Sequence, residues 1–200
     1  MNGGNRKVII DKSFKGLKRL ENGDYVLDEI ETEEDLEIDL DDRLIITYYI
    51  KAKGYIEARG SIEAGLSIVA GGSIKAGDYI EAGYNIKAGE SIKVGGHIEA
   101  RESIEAGESI KVGGYIEARG SIKAGSYIEA RGSIKAGYNI EAGYNIEAGE
   151  SIKAGDYIEA RGSIEAGLSI EAGYNIEAGE SIEAKKRNIS TIRDKSRKLY

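Results

Sequence analysis

Cysteine, proline and tryptophan are absent from the 200 residues, and phenylalanine and methionine occur once each. Without cysteine there are no disulfides and no thiolate metal sites, which fits a reducing compartment. A rounded core normally mixes Leu, Val, Phe and Met to fill irregular gaps. This chain relies almost entirely on Ile and Ala, so its interior is expected to be uniform along a line. Threonine is scarce too, at Thr32, Thr47 and Thr191. No stretch approaches the roughly 20 apolar residues of a membrane-spanning helix. The opening segment, through Asp11, holds no apolar run of signal-peptide length. The expectation is a soluble protein that is not exported by the general secretory route, either cytoplasmic or part of a phage particle.

Charge is abundant but unevenly spread. The formal net charge is −7. Residues 1–20 carry six basic and one acidic residue, and residues 21–43 carry twelve acidic and one basic. The last segment, 185–200, carries seven basic residues (Lys185, Lys186, Arg187, Arg193, Lys195, Arg197 and Lys198) against one acid, Asp194. Without it the chain has 28 − 7 = 21 basic and 35 − 1 = 34 acidic residues, a balance of −13. Blocks of one sign often belong to termini and interaction tails. The 185–200 segment is the candidate for an anionic partner.

Most of the chain is a repeat. Ile stands at position 56 and at every sixth position through Ile182, giving 22 consecutive hexads. Two residues after each Ile stands Ala, replaced only by Val94 and Val112, and the next residue is Gly. That Gly gives way only to Arg59, Arg101, Arg119, Arg131, Arg161 and Lys185. The unit reads [Tyr/Ser/Asn]-Ile-[Glu/Lys]-Ala-Gly-x. On an α-helix, residues six apart are rotated by about 600°, so the Ile stripe would wind around the surface. Interior Gly would also cost about 1 kcal/mol at each occurrence. As a strand, Ile and Ala share one face and the charged position the other. Gly and the variable residue then form a corner, where Gly tolerates φ > 0.

A single such strand cannot bury its Ile, but coiled strands stack on their equivalents. The fold class is therefore all-β, a single-stranded parallel β-solenoid. Two coil sizes fit. Glu-Ser-Ile-Lys-Val-Gly-Gly begins at 90 and again at 108, three hexads on. Tyr-Ile-Glu-Ala-Arg-Gly-Ser-Ile-Lys-Ala-Gly begins at 115 and again at 127, two hexads on. A single Gly suits a gentle bend better than a reversal, which favours three sides over two. The apolar phase extends back through Ile50, Leu44 and Ile38. The expected organisation is a cap over 1–35, the solenoid over 36–184 and the basic tail over 185–200.

The run Tyr-Asn-Ile-Lys-Ala-Gly-Glu-Ser-Ile-Lys-Val-Gly-Gly resembles the Ile-[Glu/Lys]-Ala-Gly arrays of uncharacterised bacterial and phage proteins. That resemblance covers residues 55–184 and implies a β-solenoid without implying an activity. The hexapeptide-repeat acyltransferases are a poorer match. They place the small residue two before the aliphatic one, whereas Ala58 here follows Ile56.

No residues form an expected catalytic, cofactor or metal site. His97 is the only histidine and occupies a slot held elsewhere by Tyr, Ser or Asn, so it should point outward. The Glu and Lys after each Ile read as solvated ladders that discourage edge pairing. The acids Asp35, Glu37, Asp39, Asp41 and Asp42 could offer oxygen ligands to Ca²⁺, but alternation along a strand with Leu36, Ile38 and Leu40 inward is simpler. Arg-Gly pairs occur in nucleic-acid binders, yet the surrounding array is acidic. No Walker loop, dinucleotide fingerprint or nucleophile elbow is present. Ice binding would want Thr rows, which the array lacks. The functional expectation is a non-enzymatic scaffold, spacer or polymer subunit capable of self-association. The alternative is a binding module using its exposed Tyr rows or basic tail.

Overall fold

The computed structural model of the protein describes residues 6–185 and 189–191. It is all-β, a three-sided solenoid of about nine turns. Three sheets of ten, eleven and nine strands form its faces, parallel throughout except for the edge strand Lys18–Arg19, which runs antiparallel to Tyr25–Leu27. Face 1 carries the strands Ile56–Ala58, Ile74–Ala76 and onward. Face 2 carries Ile62–Ala64 and its equivalents, and face 3 carries Ile68–Ala70 and its equivalents. Pairing repeats every three hexads: Ile68 stands on Ile86, and Ile80 on Ile98. The two-hexad alternative is thereby excluded. At about 4.8 Å per turn, nine turns make a rod of about 43 Å.

Side-chain alternation fixes what lies inside. Every array Ile from Ile56 to Ile170 is at most 1% exposed, and the partner Ala or Val at most 7%. Identical side chains stack along each face, so one set of contacts is copied turn after turn. Val94 stands on Val112, which keeps the two larger substitutes together.

The corner glycines have another reason than the one expected. Among the described glycines, positive φ occurs only at Gly16 and Gly23, both before the array. The array glycines instead permit close stacking. A Cβ on Gly83 would lie 1.9 Å from the Gly65 carbonyl oxygen, and one on Gly107 would lie 2.0 Å from that of Gly89. Where Arg replaces Gly, the backbone gives slightly. The amide-to-carbonyl distance is 3.2–3.4 Å at the five Arg corners, as from Arg101 to Ala82 at 3.2 Å and Arg161 to Ala142 at 3.4 Å, against 2.9–3.2 Å at the Gly corners.

The two ends differ. Strands Lys7–Ile10, Tyr25–Leu27 and Ile30–Thr32 pair in parallel with the first turns of the three faces. Phe14 and Leu17 pack over them, and Ile10 is fully buried. Ion pairs tie these strands to the next turn: Lys7 to Glu37, Arg43 to Asp24, Lys51 to Glu31 and Lys53 to Glu33. At the other end, Ile176, Ala178, Ile182 and Ala184 are only partly buried. Strand Ile189–Thr191 covers Ile170–Ala172 on face 2. Strands Asn175–Ala178 and Ile182–Ala184 have no further partner strand among the described residues.

Candidate interaction surface

The slot before each Ile is a hydrogen-bonding position. At the corner, its side-chain oxygen receives the amide N–H of the same slot one turn later. Asn85 accepts from Ser103 and Asn145 from Ser163, both at 3.0 Å. Ser103 accepts from Ser121, which accepts from Asn139, both at 3.3 Å. Ser and Asn are short enough to reach back to a neighbouring backbone group. This is why the slot tolerates so few residue types.

Along one column, aromatic residues replace that ladder with ring stacking. On face 2, His97 lies between Tyr79 and Tyr115 with ring centroids 5.0 and 4.8 Å apart and planes within 5°. His97 thus holds the expected outward slot, half-buried by its neighbours. The adjacent outward column on this face is Glu63, Glu81, Glu99 and Glu117. Its ends are relieved by Arg43 on Glu63 and Lys135 on Glu117. Within it the Tyr115 hydroxyl donates to Glu99. That bond, with partial burial and the neighbouring carboxylates, raises the Tyr115 phenol to about 12.

Elsewhere the charged column pairs across turns, as in Lys87–Glu105 at 3.2 Å and Lys123–Glu141 at 3.0 Å. These exposed pairs contribute little individually and chiefly keep the faces solvated. On face 1, Lys75, Lys93 and Lys111 are consecutive, and the outer two turn away to Glu57 and Glu129.

The acidic segment before the array is dispersed by the fold. Asp35 is buried and accepts from the Tyr55 amide, while Glu37 pairs with Lys7, Asp39 with Arg59 and Asp42 with Arg19. Among the described residues, no group of three or more His, Cys, Asp or Glu is placed to hold a metal ion. Nor is any helix there long and apolar enough to cross a membrane. Of the basic tail, Lys185 is exposed at the end of the array; Lys186, Arg187, Arg193, Lys195, Arg197 and Lys198 lie outside the described residues.

The three-hexad turn sorts the tyrosines by edge, which a linear reading cannot do. The edge between faces 2 and 3 holds Tyr48, Tyr49, Tyr84, Tyr138, Tyr157 and Tyr174, six of the thirteen in the chain. Leu66 joins them on this edge. Tyr48, Tyr84, Tyr138, Tyr157 and Tyr174 are between 45% and 59% exposed, enough to offer their rings to a partner. The edge between faces 3 and 1 has Tyr55, Tyr127 and Tyr144, with a cavity of about 370 Å³ beside the latter two. The two corner slots were recognisable in the sequence as exposed Tyr positions; their convergence on one edge depends on turn length. No protein-family model, curated protein or solved structure matches the chain.

Proposed function

We propose that the protein is a non-enzymatic structural or assembly component, a rigid rod that serves as scaffold, spacer or polymer subunit. The supporting observation is the uninterrupted three-hexad register. From Leu36 to Ile182 each strand of face 1 stands on its equivalent, with the array itself free of insertions. Stability then comes from nearest-neighbour stacking, and the particle resists bending. The half-buried Ile176 and Ile182 at one end supply a surface for end-to-end contact between copies. On this reading the rod belongs to the cytoplasm or to a phage particle. Negative-stain electron microscopy and light scattering over a concentration series test it. Stiff rods joining through one end, and separated by Ile182→Lys, are expected. Flexible or collapsed particles would overturn the reading.

A second reading, a binding module, is favoured by the collection of tyrosines on one edge. The basic residues of 185–200 are its other candidate. Deleting that segment and measuring salt-dependent binding to DNA or anionic vesicles assigns or removes its part, because phosphate contacts weaken steeply with salt.

A further inference from the structure

The tyrosine edge is broken at Leu66, at Glu102 and Gly120, and at Asp156, and the longest interruption, between Tyr84 and Tyr138, has its own chemistry. Reading along it turn by turn, the residues are Tyr48, Leu66, Tyr84, Glu102, Gly120, Tyr138, Asp156 and Tyr174. In the two turns between Tyr84 and Tyr138, the preceding Gly is replaced by Arg101 and Arg119. Only here in the array do two Arg occupy one column in successive turns. Like charges on neighbouring strands oppose folding. Neither guanidinium makes an ion pair or side-chain hydrogen bond among the described residues, and both side chains are exposed. Each leaves its corner hydrogen bond at 3.2 Å, the long end of the 2.9–3.2 Å range found at Gly corners. Uniform stacking does not call for this arrangement.

The interruption is a cleft of about 340 Å³ lined by Gly83, Tyr84, Arg101, Glu102, Arg119 and Tyr138. Tyr84 and Tyr138 stand at its ends, 51% and 59% exposed. Nine hexads separate them, which makes three turns, about 14 Å along the rod. That span admits a short chain of rings rather than a lone ion. Tyrosine rings offer apolar faces to the C–H side of a sugar, and Glu102 can accept from its hydroxyls. The paired guanidiniums match one carboxylate or sulfate. Glu81, Glu99 and Glu117 border the same arginines on their other side. Those carboxylates repel a polymer charged at every residue, which argues against nucleic acid.

We propose that this cleft binds an oligosaccharide carrying one acidic group among neutral sugars. The inference rests on the second reading above and leaves the scaffold reading untouched.

Titration calorimetry with 3′-sialyllactose, 3′-sulfolactose, lactose and oligothymidylate tests it. Binding of one or both acidic sugars, at least tenfold tighter than lactose, is expected, and the preferred one identifies carboxylate or sulfate. Arg101→Gly and Arg119→Gly restore the repeat and so preserve the fold; each should weaken that binding at least tenfold. Tyr84→Ala and Tyr138→Ala should weaken it too, whereas Tyr48→Ala, outside the cleft, should not. Equal binding of lactose, tighter binding of oligothymidylate, binding unaffected by the Arg substitutions, or no binding at millimolar sugar would each overturn the proposal. Loss of binding in Tyr48→Ala alone would move the site elsewhere on the edge, leaving a binding module but not this cleft.

Discussion

The amide N–H of Ser103 donates to Oδ1 of Asn85, 3.0 Å away and one turn earlier on the same face. This contact supplies the Ser103 amide with an acceptor between the backbone bonds from Glu102 to Tyr84 and from Ile86 to Ser103, both 3.0 Å. Asn85→Ala should lower stability by about 0.5–1.5 kcal/mol, the usual net worth of such a bond. Asn85→Ser should recover most of it, since Ser103 fills the same role for Ser121 at 3.3 Å. Urea unfolding of the two variants checks this.

Ile104 is fully buried in the middle of the rod, while Ile182 is half-buried at its end. Ile104→Ala should cost about 2–5 kcal/mol, because neighbours above and below cannot collapse into the gap. Ile182→Ala should cost markedly less. Thermal unfolding should show the larger drop in midpoint for the central variant.

Corner glycines are required by stacking rather than by backbone dihedral. Gly107→Ala would bring Cβ to 2.0 Å from the Gly89 carbonyl oxygen unless the turn shifts. A loss of about 1–3 kcal/mol is expected. Arg119→Gly should lose nothing in denaturant unfolding, since it restores the short corner. A Gly107→Ala protein as stable as the parent would remove steric closeness as the reason for glycine.

The pH behaviour follows from two hydrogen bonds. Tyr115 donates to Glu99 and its phenol is raised to about 12. A raised value means that the stabilisation is complete below the free phenol's value, about 10, and is lost as pH climbs toward 12. Ultraviolet titration of tyrosine should show a late-ionising component that Tyr115→Phe removes. At the other extreme, hydrogen bonding to Arg43 holds the Asp24 carboxyl below its ordinary value. Its contribution is present above about pH 4 and disappears as pH falls through the lower folded value. The stability difference between the parent and Asp24→Asn should therefore shrink on acidification, as followed by urea midpoints.

Much of the fold was legible because the code is local. Ile and Ala at alternate positions define an inward face whatever the coil size, so Ile56 and Ala58 could be assigned to the core from spacing alone. The number of sides was harder, because segments duplicated two hexads apart and three hexads apart mimic both turn lengths. The role of glycine was misread for a related reason. A residue without Cβ signals either unusual φ or close approach, and only neighbouring turns distinguish them. The 1.9 Å that would separate a Cβ on Gly83 from the Gly65 carbonyl oxygen, at a residue without positive φ, supplies that distinction. The Ser and Asn slot looked merely polar, since its partner lies a full turn away. The cleft between Tyr84 and Tyr138 was invisible for the same reason: its walls are distant in sequence and meet only through the turn length.

The central claim is a stiff three-sided rod, and one distance tests it. The chain has no cysteine, so Glu57→Cys and Glu165→Cys can carry the only spin labels. Both face outward on face 1, and the chain between them, eighteen hexads long, makes six turns of three hexads. Pulsed electron-electron resonance should give a single narrow separation near 29 Å between backbone positions, after allowance for the labels, at about 4.8 Å per turn. A separation of about 43 Å, the value for nine turns of two hexads, or a broad distribution of distances would contradict the account.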